Sequence, residues 1–263
     1  MEVDQRKNDN DLSVESALEL DGSWERKGRS PNAAAVVGLL GIGVLYFNAQ
    51  VIIFMIGLLI TMTINPAPET SATFTERIST TARLYTPAMR ISLLISQFLF
   101  MLFPTWLLVK RWHTLDVRKY IRLKSIPVKE IVLAIVATLA IIPTGAYIGN
   151  EFLRWFKFPE VFFEFYQGLF SAHSLFEFTW LVFLVAVTPA ICEEIFFRGY
   201  VQRTFERTMK AKSVILVGVI FGLFHVQPLS LVTLSILGIV FGFFITEAKA
   251  CCRPWQDILP IIF

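Results

Sequence analysis

The sequence predicts an all-α fold, a polytopic transmembrane helix bundle of about six complete spans plus a truncated seventh. Three features point there. Hydrophobic residues make up 55% of the chain, above the roughly 45–50% of soluble domains, and the mean hydropathy is +0.60. Most of the length lies in apolar runs near the roughly 20 residues that cross a bilayer. Basic residues gather in the connections between alternate runs, as expected of segments retained on the cytoplasmic side.

Residues 1–32 are polar, acidic at first and then basic at Arg26, Lys27 and Arg29, and read as a disordered cytoplasmic tail. Residues 33–263 read as the bundle. The first apolar run, 33–62, far exceeds the roughly 7–15 residues of a signal core, so a tilted or broken first span is expected instead of a cleaved leader. Residues 63–89 are rich in Ser, Thr and Pro and read as a connection. A second span at 90–109 leads into a basic loop holding Lys110, Arg111, Arg118, Lys119, Arg122 and Lys124. The third span is expected at 129–148, and the aromatic stretch after it, EFLRWFKFPEVFFEFYQGLF, suits an outer interfacial segment.

The fourth helix is expected from 176 to 208, ending among Arg203, Arg207, Lys210 and Lys212. Spans five (213–226) and six (229–246) form a hairpin that returns to Lys249 and Arg253. The final RPWQDILPIIF opens a seventh apolar stretch shorter than the about 17–25 residues of a complete crossing. These charges alternate consistently with a cytoplasmic N-terminus, and the expected setting is a bacterial plasma membrane.

The net charge is only +3, and the basic residues flank apolar runs instead of forming an arm, so no nucleic-acid partner is expected. The expected partners are the lipid bilayer and a peptide or membrane-protein substrate. Cys192, Cys251 and Cys252 make no secreted-type disulfide framework. Cys192 reads as inert packing, and Cys251 and Cys252, beside a span, could accept palmitate.

Chemistry concentrates in AICEEIFFRGY, residues 190–200, where two glutamates and an arginine interrupt an apolar run. An acidic side chain at membrane depth costs at least about 2.5–3.5 kcal/mol on insertion scales, so it persists where it meets a partner or water. On a helix Glu194 and Arg198 share a face and can pair. Glu193 is rotated about 100° from Glu194, and is either an idle interfacial group or a functional one. With a turn near Lys210, Glu193 lies 17 residues before it and His225 15 after it, giving similar depths of about 26 and 22 Å. His225 follows Phe221 by four residues. GVIFG (Gly218, Gly222) and GIVFG (Gly238, Gly242) are small-residue surfaces for close helix packing. Pro189 removes a donor and frees the Val185 carbonyl, where a kink could open a wet cavity. A partly desolvated carboxylate can take a proton from water, and an imidazole N–H can stabilise an oxyanion, which together would hydrolyse a peptide bond.

Glu193-Glu194-x-x-x-Arg198 followed by Phe221-x-x-x-His225 resembles the first two motifs of the CAAX-protease and bacteriocin-processing family (CPBP, or Abi) of intramembrane endopeptidases. The resemblance covers about residues 175–263. It implies a protease in which Glu193 activates water, Glu194 and Arg198 support the site, and His225 assists at the oxyanion or binds a metal. The family's third motif, a His followed four residues later by Asn or a similar residue, is not matched: aligning on Trp255 puts Ile261 where that His belongs. Asp257 reads as a solvated residue near a helix start.

No cofactor is required by the sequence. There is no His-Glu-x-x-His motif, although Glu193 and His225, with Glu194, could in principle hold zinc. A Gly-x-Ser-x-Gly elbow and a Gly-x-Gly-Asp aspartyl pattern are both absent from the sequence. Two other classes remain beside the protease: a non-catalytic CPBP-like membrane protein, such as an immunity factor or scaffold, and a small proton-relay transporter, for which no repeated broken-helix pattern is seen.

Overall fold

The computed structural model describes residues 18–64, 74–123, 128–155, 170–227 and 229–247. All regular structure among the described residues is helical: α1 (Pro31–Ile64), α2 (Phe74–Ile95), α3 (Phe103–Trp112), α4 (Val117–Tyr120), α5 (Val128–Trp155), α6 (Leu175–Val182), α7 (Thr188–Glu193), α8 (Arg203–Met209), α9 (Lys212–Phe224) and α10 (Leu231–Glu247). Wide π turns join several of these into longer rods, at Ser96–Leu102, Phe183–Val187 and Glu194–Gln202.

Four helical stretches are long and apolar enough to cross a bilayer: Pro31–Ile64, Tyr85–Trp112, Val132–Trp155 and Leu175–Met209. Their apolar side chains point outward as well as inward; Leu40 and Val44 are 61% and 62% exposed. A helix that is hydrophobic all round needs an apolar surround, and here only lipid supplies it. The chain is an integral membrane protein. α9 and α10 occupy the expected fifth and sixth spans as shorter apolar helices of 13 and 17 residues, the first rising only about 20 Å. The seventh apolar stretch lies outside the described residues.

Several boundaries differ from expectation. α1 is one unbroken helix of 34 residues. The connection expected over 63–89 is helical from Phe74 onward. α5 continues to Trp155, because the mixed charges after Ile148 do not interrupt its backbone ladder. Most of the aromatic segment after it lies outside the described residues.

The chain separates into two compact units, one made of Met1–Leu39, Thr105–Phe152 and Phe197–Phe263, the other of Leu40–Pro104 and Leu153–Phe196. The first is built on the α9–α10 hairpin. Lys210 (φ 51°) breaks the helix before it, at the turn expected from sequence. Both small-residue surfaces face into the hairpin: a Cβ on Gly218 would lie 2.6 Å from the Ile239 nitrogen, and one on Gly238 would lie 2.9 Å from Gly218 Cα. Gly38 likewise lets Tyr200 approach α1, where the Tyr200 hydroxyl donates to the Ala34 carbonyl at 2.6 Å.

The expected disordered tail is described from residue 18, and its last part is ordered. Gly22 and Ser23 N–H groups donate to the His113 and Arg111 carbonyls at 2.9 and 2.8 Å, and Trp24 stacks on Trp112 at 4.7 Å. Glu25 accepts two hydrogen bonds from Arg207, at 2.5 and 2.9 Å, and lies 2.6 Å from His113 Nδ1. The segment is polar enough to resemble a free tail, but one of its carboxylates, Glu25, answers a cation and a fully buried imidazole.

Burial raises the Glu25 carboxyl, yet its hydrogen bonds to Arg207 and His113 outweigh that and hold it below the ordinary 4.5. Burial holds His113 below the ordinary 6.5, against the pull of Glu25. In both cases the unfolded chain takes up protons first on acidification. Stability present at neutral pH is therefore lost as pH falls, first below about 6.5 through His113 and then below about 4.5 through Glu25. Glu25→Gln should lower the unfolding free energy at pH 7 by about 1–3 kcal/mol. Thermal unfolding in detergent should show that gap closing as the pH drops below the ordinary carboxylate value.

Candidate functional site

The fourth span begins with a side-chain cap. Ser174 Oγ accepts from the Glu177 N–H at 3.1 Å, and Glu177 accepts from the His173 N–H at 2.9 Å. Glu177 also pairs with Arg90 at 2.7 Å, which satisfies a buried guanidinium on α2. Before Pro189 the helix widens instead of simply losing one bond: the Phe183 carbonyl accepts both the Thr188 N–H and the Thr188 hydroxyl, the latter at 3.0 Å. A wide turn moves backbone away from the proline ring, which would otherwise strike the carbonyl four residues back. Another wide turn, Ser96–Leu102, precedes Pro104 in the same way, with the Phe103 N–H reaching Phe98.

α7 packs against that Ser96–Leu102 turn. Glu193, the last residue of α7, is half-buried, and Gln97 Nε2 donates to its Oε1 at 3.4 Å. Tyr46 of α1 lies close enough to interact with both Gln97 and Glu193. Cys192 is fully buried, as a packing residue would be. Glu194 is half-buried and opens the π turn Glu194–Gln202. These groups belong to the second unit.

Arg198 and His225 belong to the first unit and meet around Phe221. The Arg198 guanidinium lies 4.4 Å from the Phe221 ring centroid and donates to the Gly238 carbonyl at 3.2 Å. The Phe221 ring meets the His225 ring edge-on at 4.7 Å. His225 Nδ1 lies 2.8 Å from the Phe221 carbonyl. A carbonyl can only accept, so the proton is on Nδ1, and a neutral ring then carries its lone pair on Nε2. The oxyanion role expected of an imidazole N–H therefore needs the ring protonated. His225 caps α9, and Val226 follows at φ 51°.

Sequence reasoning passed over Gln97 and Gln202. Gln202 is fully buried, and its Nε2, with two protons to place, lies 2.9–3.1 Å from Glu206, the Gly242 carbonyl and Thr246. The available signal was an isolated amide in an apolar run, as in ISQFLF. The reading followed formal charge, and amides carry none. Cys251, Cys252, Asp257, Ile261 and any third motif lie outside the described residues.

Among the described residues no three His, Cys, Asp or Glu side chains come together. Glu193 and His225, with Glu194, thus supply no three-donor zinc set there, and no chemical step is assigned to a metal.

The chain is a polytopic helical membrane protein whose apolar helices carry buried or half-buried carboxylate, guanidinium and imidazole groups, a costly placement at membrane depth. Residues 175–252 match the family described as Type II CAAX prenyl endopeptidase Rce1-like. The match contains both motifs, agrees with the CPBP resemblance, and supports a CAAX-protease-type or other CPBP-like membrane protein. No curated protein and no solved structure matches the chain.

Gly238 joins hairpin packing to the Arg198 contact. Gly238→Ala would push a Cβ against the Gly218 backbone at 2.9 Å, and should lower stability by about 1–3 kcal/mol. Gly41→Ala, whose Cβ would meet nothing within 4 Å, should unfold no earlier than wild type in the same thermal scan.

Proposed function

We propose that the protein is an intramembrane endopeptidase that hydrolyses peptide bonds of membrane-associated substrates with a glutamate-activated water. The observation that carries this reading is the family match over residues 175–252, which takes in Glu193, Glu194, Arg198, Phe221 and His225. Glu193 acts as general base: it takes one proton as the water oxygen attacks the scissile carbonyl carbon, then delivers it to the leaving nitrogen as the C–N bond breaks. His225, when protonated, donates from Nε2 to the developing oxyanion. Arg198 and Glu194 support the site, Arg198 by packing on the Phe221 ring that touches His225. The chemistry requires Glu193 and His225 to converge on one hydrated pocket.

The orientation we infer places the N-terminus and the basic connections in the cytoplasm of a bacterial cell. The substrate class is a peptide tethered at the membrane. A fluorogenic farnesylated peptide ending in a CAAX-type sequence, compared with its unprenylated counterpart, probes it directly.

Purified full-length protein in proteoliposomes should cleave this probe. Glu193→Gln should reduce kcat on the order of 10²–10⁴-fold, and His225→Ala should be comparably impaired, with thermal unfolding unchanged in both. Equal turnover by wild type and Glu193→Gln would remove the mechanism and leave the non-catalytic CPBP-like reading.

A further inference from the structure

Gln97 sits within an apolar helical run and is only 5% exposed, a setting in which an amide is costly unless both ends are used. One end is accounted for: Nε2 donates to Glu193 Oε1 at 3.4 Å, and the Tyr46 hydroxyl oxygen accepts from the same amide. The other is not: Oε1 is buried and has no hydrogen-bond partner among the described residues. The reverse assignment of the amide would set Oε1 against a carboxylate oxygen, so the donor end belongs on Glu193. A methionine or leucine would fill this position at lower cost. A buried acceptor left over beside the assigned base is what a reacting water, which has two protons to place, would use.

We propose that Gln97 is a positioning residue for the hydrolysis, with Nε2 orienting the Glu193 carboxylate and Oε1 holding the attacking water. This rests on the assignment of Glu193 as base. One water proton goes to Glu193 as the oxygen–carbon bond forms. The other stays on that oxygen, directed at Gln97 Oε1, and leaves with the carboxylic acid product. The proton on Glu193 passes to the amine as the C–N bond breaks. Gln97 itself gains and loses nothing, so its effect is on the orientation of the water and not on the proton inventory. At 3.4 Å the contact is long for a hydrogen bond, as catalytic hydrogen bonds often are in substrate-free enzymes.

The π turn gives Gln97 its place. It leads into Pro104, and α7 lies against it. Ser96 beside it turns its hydroxyl back to the Ser92 carbonyl at 2.5 Å, so the neighbouring polar side chain is spent on backbone. Gln97 is the one drawn to Glu193.

Gln97→Met keeps length and volume while removing both polar ends. In full-length protein on the farnesylated peptide, kcat should fall roughly tenfold or more, the equivalent of one hydrogen bond lost at a transition state. KM should stay within about twofold, and the unfolding temperature should be equal to or above wild type. A residue that merely held the helices together would show the opposite, lower stability with kcat per folded molecule preserved. Should Gln97→Met fail to fold, Gln97→Glu keeps the shape and an acceptor but loses the donor, and carries the same kcat expectation. Wild-type kcat in a folded Gln97 variant, with Glu193→Gln inactive, removes Gln97 alone. Wild type and Glu193→Gln turning over alike removes the base assignment and Gln97 with it.

Discussion

A buried guanidinium sets the terms for the first unit. Arg198 is 2% exposed, and a cation held at membrane depth persists only with partners arranged around it. It finds a carbonyl at Gly238 and a ring face at Phe221. Both sit on the α9–α10 hairpin, so placing the cation also requires that hairpin to close tightly. The glycines make that possible, because a side chain at Gly218 or Gly238 would occupy the space the facing backbone uses. Phe221 then has three contacts to serve: the guanidinium on its face, the Phe197 ring edge-on at 5.1 Å, and the His225 ring. The imidazole is oriented by the same residue that shields the cation. That gives the four-residue spacing of Phe221 and His225 a physical meaning: ring and carbonyl of one residue fix the plane and the tautomer of the other.

The second unit solves a different problem. Two of its prolines, Pro104 and Pro189, fall inside long apolar helices where water cannot replace a lost backbone bond. Each is preceded by a wide turn that shifts bonding to the carbonyl five residues back. Wide turns are less favourable than α-helix and recur at functional sites. Here they lie close to Glu193, the carboxylate that Gln97 reaches. The helical irregularity and the polar cluster coincide, and the packing of α7 on the Ser96–Leu102 turn is what brings the amide and the carboxylate together.

The fold class was legible because hydropathy and length act over whole segments; α1 and the fourth span match their expected limits to within a few residues. Turn chemistry was legible at Lys210, where charge and an apolar run change together. What was not legible depends on contacts between distant segments. Glu25 looks like one acid in a polar leader until Arg207 and His113 are placed beside it. Gln97 looks like a tolerated amide until α7 brings Glu193 against it. Wide turns leave little mark, since Ser96–Leu102 has an ordinary helix composition and only Pro104 hints at it. An unbroken α-helix would leave the Val185 carbonyl free at Pro189, whereas the wide turn changes which carbonyl is affected.

The tautomer of His225 narrows how the site can work. With its Nδ1 proton committed to the Phe221 carbonyl, the ring has two chemical states toward a substrate: a lone pair on Nε2 when neutral, a donor when protonated. A neutral ring could not stabilise an oxyanion. A protonated ring would offer an N–H to an oxyanion. The hydrolytic reading therefore needs opposite protonation states in the two residues, a carboxylate at Glu193 and an imidazolium at His225. Val226 adds a constraint of its own. A β-branched residue at φ 51° costs about 1–2 kcal/mol, and ending α9 there leaves His225 at a helix terminus.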